Sequence, residues 1–249
     1  MGYKAKTGLL AILSLILIAA FLFYDIGPNW EYVLEKRTFK VIAIVLTGAA
    51  IAFSTVVFQT ITNNRILTPS ILGLDSLYLL IQTVVVFIFG STTLTKMDNN
   101  LHFLLTVGLM VLFAGVLYKI LFKRNDQNIY FLLLIGLIFG TFFESFSSFM
   151  QVLIDPNEFQ IVQDKMFASF NNIKTDLLVL ASVLILLVSL YFARFMKYLD
   201  VLALGRDQAV NLGVDYDYVV KRLLVVVAIL ISVGTALVGP ITFLGLLVV

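Results

Sequence analysis

Long apolar runs, broken by short clusters of charged and turn-forming residues, set the pattern of this chain. Seven of them read as full spans: Thr7–Tyr24, Phe39–Gln59, Ile71–Phe89, Leu101–Phe122, Ile129–Leu153, Leu177–Phe195 and Val219–Val238. A helix needs roughly 20 apolar residues to cross a bilayer core of about 30 Å. Runs of this length, apolar on every face, predict helices in lipid rather than strands. An eighth run begins at Ile241 and reaches only to Val249, so the sequence is expected to stop inside a span. The expected fold is an all-α polytopic membrane bundle, one domain over 1–249, incomplete at its C-terminus.

Composition agrees. The 249 residues are 61% hydrophobic and 13% charged, with a mean hydropathy of +1.04. A soluble domain is usually near a quarter charged and about half apolar, so most of this surface must face lipid. The first run follows Lys4 and Lys6 as a signal peptide would, but its length and the lack of a small-x-small site after it favour a retained helix. A net charge of +2 without a basic stripe argues against nucleic acid as a partner. With no Cys and a single His, disulfides, thiolate metal sites, cysteine nucleophiles and His-rich metal clusters are excluded. Eleven of the 17 Lys and Arg, Arg124 among them, fall on the side that holds the N-terminus; Lys96 and Lys165 are among the other six. That bias predicts a cytoplasmic N-terminus.

Few polar residues are candidates for chemistry. Glu144 falls mid-span, and a carboxylate there costs several kcal/mol unless it faces protein or water. Ser145, Ser147 and Ser148 follow it, so a polar stripe facing a pathway is expected; a neutral Glu hydrogen-bonded between helices is the alternative. His102, beside Asn99 and Asn100, reads as interfacial, and Asp75 as interfacial or a local cap. Asp155, Glu158 and Asp164 form an acidic stretch without metal spacing, best read as solvated. No phosphate-binding Gly-x-x-x-x-Gly-Lys-Ser/Thr loop, paired carboxylates or nucleophile–base pair is present, so no catalytic, cofactor or metal site is expected. In the polar stretch Arg194–Arg222, Leu204, Gln208, Asn211 and Leu212 recur at helical spacing, and Gly205 and Gly213 bracket a short helix. On pattern alone this is an interfacial connector or a helix that docks on a partner.

Three segments, in order, resemble the FecCD-type permeases of ABC importers for iron–siderophore complexes, haem and cobalamin. In Gly48–Gly73, Gln59, Asn64, Pro69, Leu72 and Gly73 match the family pattern, while Arg65 replaces a Pro and Leu67 an Ala. Leu204, Gly205, Ala209, Leu212, Gly213 and Val214 match the ATPase-coupling element, with Arg206 in place of a Glu. Gly239-Pro240-Ile241-x-Phe243-x-Gly245-Leu246 matches the third motif. The wording around Gln59–Gly73 and Asp155–Asn172 is most similar to a branch for catechol-type siderophores such as petrobactin.

The resemblance implies a permease subunit of the bacterial cytoplasmic membrane, with ten spans when complete and about seven and a half present here. It implies two ATPase subunits, a second permease (homo- or heterodimer), an extracytoplasmic siderophore-binding protein and a ferric siderophore as substrate. Coupling is carried onto Leu204, Gly205, Arg206, Asp207, Ala209, Leu212 and Gly213, with the small residues seating the helix in an ATPase groove. Docking of the binding protein is carried onto Arg37 and Lys40; plain interfacial anchoring is the alternative for both. The pathway is carried onto Glu144, Ser148, Gln59 and Asn64. Two other classes stay open from the residues alone: a proton-coupled secondary transporter using Glu144 or Asp75, and a membrane-embedded enzyme or assembly factor.

Overall fold

A computed structural model describes residues 3–25, 27–90, 98–123, 129–171, 173–242 and 244–248. Lys96, Arg124, Asn172, Phe243 and Val249, all used in reading the sequence, lie outside the described residues. Among the described residues the secondary structure is helical throughout: α1 (Tyr3–Phe23), α2 (Trp30–Thr62), a 3-10 turn (Pro69–Leu72), α3 (Leu74–Phe89), α4 (Asn99–Lys123), α5 (Ile129–Leu153), α6 (Pro156–Met166), α7 (Thr175–Ala193), α8 (Met196–Leu202), α9 (Arg206–Asn211), α10 (Tyr216–Val238) and α11 (Leu244–Val248). Six of these, α1, α2, α4, α5, α7 and α10, are long and apolar enough to cross a membrane.

α10 is the central post, apolar all round and buried along most of its length against α2, α4 and α7. A helix of this kind belongs in the interior. α3 packs chiefly on α5. α1 is the outlier: its apolar side chains are mostly exposed, as lipid contact requires, and it touches only α2 among its larger contacts. The bundle has two ends. One carries α6, with the last turns of α3, α5 and α10. The other carries α8 and α9, with the last turns of α2, α4 and α7 and the first turn of α10.

Three departures from the expected spans have physical causes. α2 starts at Trp30, nine residues before the predicted Phe39, and its 33 residues extend about 50 Å at 1.5 Å per residue. The polar Trp30–Thr38 turns are good helix formers beyond the hydrocarbon core; hydropathy reports lipid depth, not helicity. The third run is not one continuous span. It breaks at Gly73, and the 16 residues of α3 reach only about 24 Å. Gly73 has φ 76°, and a Cβ on it would sit 2.8 Å from Gly140 Cα, in the middle of α5. From the other side, a Cβ on Gly136 would lie 2.9 Å from Leu72 Cα. The 3-10 turn is therefore pressed backbone to backbone onto α5, and α3 starts inside the bundle rather than at its end.

The third departure is α6, a helix that was not anticipated on the acidic stretch, although Asp155 and Asp164 are exposed as a solvated face requires. Asp155 is its N-cap and accepts from Asn157 N at 2.9 Å, Pro156 opens the first turn, and Glu158 and Lys165 sit at the ends the helix dipole favours. Its Val162 is fully buried against Val86 and Ile154, with Phe159 beside it.

Candidate functional site

At the α9 end, the chain turns out of α8 into a six-residue helix. Gly205 (φ 96°) precedes it and Gly213 (φ 81°) follows it, as the bracketing glycines predicted. Its two faces differ. Ala209 is fully buried within this chain, so it does not seat the helix in a partner's groove as its small size suggested; it lets α9 lie close against its own bundle. The outward face carries Arg206, Asp207, Val210, Leu204 at 57% exposure and Leu212 at 63%. Leu204 and Leu212 thus leave two large apolar side chains exposed on this turn, beside Arg206 and Asp207.

Gln59 and Asn64 close the same end. Gln59 is buried and donates through Nε2 to Arg65 O at 2.6 Å, and Asn64 Oδ1 accepts from Ile66 N at 3.0 Å. Both hold the reversal after α2, and both line a cavity of about 360 Å³ with Asn63 and Ala203.

At the α6 end, Arg37 donates to the carbonyls of Phe21, Leu22 and Tyr24, the last turn and exit of α1. Its guanidinium caps carbonyls with no partner inside the helix. Lys40 donates to Asn171 Oδ1 at 3.1 Å, linking α2 to the segment before α7.

Along α5, Thr141, Glu144, Ser145 and Ser148 share one outward, exposed stripe flanked by Phe142, Phe146 and Phe149. Glu144 lies about 14 Å below the Leu153 end at 1.5 Å per residue, well within a bilayer core. Ser147 is not on this stripe. It is buried against α3, 2.8 Å from Thr83 Oγ1, with Gln151 Nε2 2.9 Å from its hydroxyl. That trio ties α3 to α5 as polar groups do between membrane helices.

Asp75 is neither interfacial nor a surface cap. It is buried in the first turn of α3, and Thr235 of α10 donates to its Oδ1 at 3.0 Å while Oδ2 has no partner. His102 is likewise not simply interfacial. It lines a cavity of about 330 Å³ with Tyr78, Gln82, Thr106, Lys165 and Lys174, and its Nε2, both amide atoms of Gln82 and the Thr106 hydroxyl have no protein partner. Such a polar void suits ordered water. Beside it, desolvation holds the Lys165 ammonium below the ordinary lysine range; Asp164 opposes that and Lys174 adds to it. The Asp75–Thr235 pair escapes sequence reading because its two members sit on distant spans, and Gln82 because the cavity it lines is assembled from several helices. Among the described residues no cluster of His, Cys, Asp and Glu could hold a metal.

The chain is a many-spanned helical bundle with a break at Gly73, an outward polar stripe on α5 and a protruding turn at α9, and its relatives make it a membrane permease of the ABC-importer kind. The sequence profile of the FecCD transport family matches residues 7–249, and the chain belongs to that family. It is 66% identical, over its whole length and 79% of the relative's, to the petrobactin import system permease protein YclO of Bacillus subtilis (strain 168). It is 38% identical over 222 residues, 89% of this chain and 63% of the other, to the petrobactin import system permease protein FatC of Bacillus anthracis. The fold matches a solved inward-facing structure named as a metal-chelate type ABC transporter, with TM-score 0.80 and 22% identity over 98% of this chain and 78% of that one.

Proposed function

We propose that this chain is the membrane-spanning permease of an ATP-driven importer for a ferric siderophore of the petrobactin type. It works with two ATPase subunits, a second permease and an extracytoplasmic binding protein. The α9 end faces the cytoplasm, which places the N-terminus there too, and α6, Arg37 and Lys40 face outward. Support for the substrate class is the 66% identity to YclO across every residue.

The observation that carries the coupling role is the pair Leu204 and Leu212, both more than half exposed at the bundle's inner end. In the cycle, ATP-driven closure of the ATPase pair moves α9. Because Ala209 ties α9 to its own bundle, that motion reaches α10, whose first turn follows directly. The spans then open alternately to either side. Glu144 and Ser148 face the pathway or the second permease, where water or protein relieves the cost of a carboxylate at that depth. Gln59 and Asn64 bound the pathway's inner end. Arg37 and Lys40 present positive charge to the binding protein. Since Arg37 already serves three carbonyls, Lys40 is the freer of the two.

The test is uptake of iron-55-labelled petrobactin into cells or vesicles carrying the complete transporter. Wild type imports in an ATP-dependent manner that survives a protonophore. Leu212→Asp reaches the membrane at normal levels, fails to retain the ATPase and loses uptake. Normal uptake by that variant would remove α9 from the coupling role, and uptake abolished by a protonophore with ATP present would overturn the ATP-driven reading.

A further inference from the structure

Between the α9-end turns of α4 and α10 lies a groove of about 530 Å³. Lys119 from α4 and Lys221 and Arg222 from α10 line it, all exposed. Tyr118 and Tyr218 form its walls, and Arg222 stacks over the Tyr218 ring at 5.3 Å. Tyr118 is buried, and its hydroxyl has no hydrogen-bond partner. One turn deeper the lining changes character to Gly115 and Val225, and the space beside Gly115 is open, with nothing within 4 Å of where a Cβ would be.

The three cations sit within about two helical turns of the ends of their spans, the depth of lipid headgroups. Exposed basic side chains at headgroup depth and an apolar continuation toward the bilayer centre together describe a polar head joined to a hydrocarbon tail. Basic pockets between spans on the cytoplasmic side are suited to anionic headgroups. A soluble anion would use the cations but not the apolar floor.

We infer that this groove binds the phosphate of one anionic phospholipid of the inner leaflet, with Lys119, Lys221 and Arg222 on the headgroup and an acyl chain along Gly115 and Val225. The lipid bridges α4 to the base of α10, the helix that α9 leads into. The choice of leaflet rests on the orientation proposed above; the chemistry of the groove does not.

The test is native mass spectrometry of the complete permease, purified in mild detergent and titrated with phosphatidylglycerol or phosphatidylcholine. Wild type is expected to retain one phosphatidylglycerol and no phosphatidylcholine. Lys119→Gln combined with Arg222→Gln is expected to lower that retention roughly tenfold or more while unfolding at the wild-type temperature. Equal retention of both lipids, or undiminished retention in the double variant, would overturn the inference. Displacement of the lipid by millimolar inorganic phosphate or ATP, with equal occupancy in lipid-free protein, would make the groove a soluble-anion site and also overturn it. Leu212→Asp separates the two readings: it is expected to lose the ATPase and keep the lipid.

Discussion

A single methyl group at Gly73 would meet the backbone of Gly140 at 2.8 Å, and the positive φ there is strained for any other residue. Neither backbone can yield without moving α5. Gly73→Ala is therefore expected to lower stability by about 1–3 kcal/mol from the dihedral alone, with the clash adding to it. The check is thermal unfolding of the detergent-solubilised protein; an unchanged midpoint would mean that the 3-10 turn does not press on α5. The Gly73 motif was legible in the sequence, but its contact was not, because Gly136 and Gly140 carry no motif of their own. Asp75 is the harder case. Its partner Thr235 lies 160 residues away, and no local spacing links them. Thr235→Val removes the threonine donor from this buried carboxyl, which the Ser70 hydroxyl also approaches, and is expected to cost about 1–3 kcal/mol. Asp75→Asn in the same background should recover part of that loss, since an amide cannot ionise in the interior. A double variant no more stable than Thr235→Val would show that the pair is not coupled.

Among the elements, those that lie in lipid were legible and those at its margins were not. Runs such as Ile129–Leu153 and Val219–Val238 matched helices α5 and α10 to within a few residues, because an apolar run in lipid must satisfy its own backbone as a helix. α9 was also legible, since glycines mark both its ends. The first turns of α2 fell outside the span expected from Phe39, and α6 was read only as a solvated acidic stretch, because both are polar, although Asp155-Pro156 carried the signal of a helix start. The overhang of α2 matters because it brings Arg37 to the last turn of α1. Arg37→Ala is expected to free the carbonyls of Phe21 to Tyr24, a loss of about 0.3–1 kcal/mol typical of a cation at a helix C-terminus. Hydrogen–deuterium exchange should then rise in the last turn of α1 and at its exit. Lys40→Glu, which breaks only the link to Asn171, is expected to leave that exchange unchanged and weaken binding-protein affinity in a salt-dependent way. If Arg37→Ala left exchange as it was, the guanidinium would not be the cap of α1.

At the scale of the whole molecule, the unresolved demand of the fold is the outward stripe of α5. Among the described residues, Asp75, Gln82 and Ser147 are turned inward, yet Glu144, Ser145 and Ser148 point away from the bundle. A carboxylate so placed is stable only beside water or another protein surface, so this face is completed by something outside the chain. The absence of cysteine makes the point testable without background. Ser148→Cys in the assembled transporter is expected to react with a membrane-impermeant thiol reagent, or to form a disulfide-linked species with a matching cysteine in the second permease. Val183→Cys, on the exposed apolar face of α7, should do neither, because lipid surrounds it. Glu144→Leu should insert normally and impair uptake, with the larger effect on transport rate if the residue faces the pathway and on subunit association if it faces the second permease. An inert Ser148→Cys together with full uptake by Glu144→Leu would mean that the stripe faces lipid after all, and that the carboxylate crosses in its neutral form.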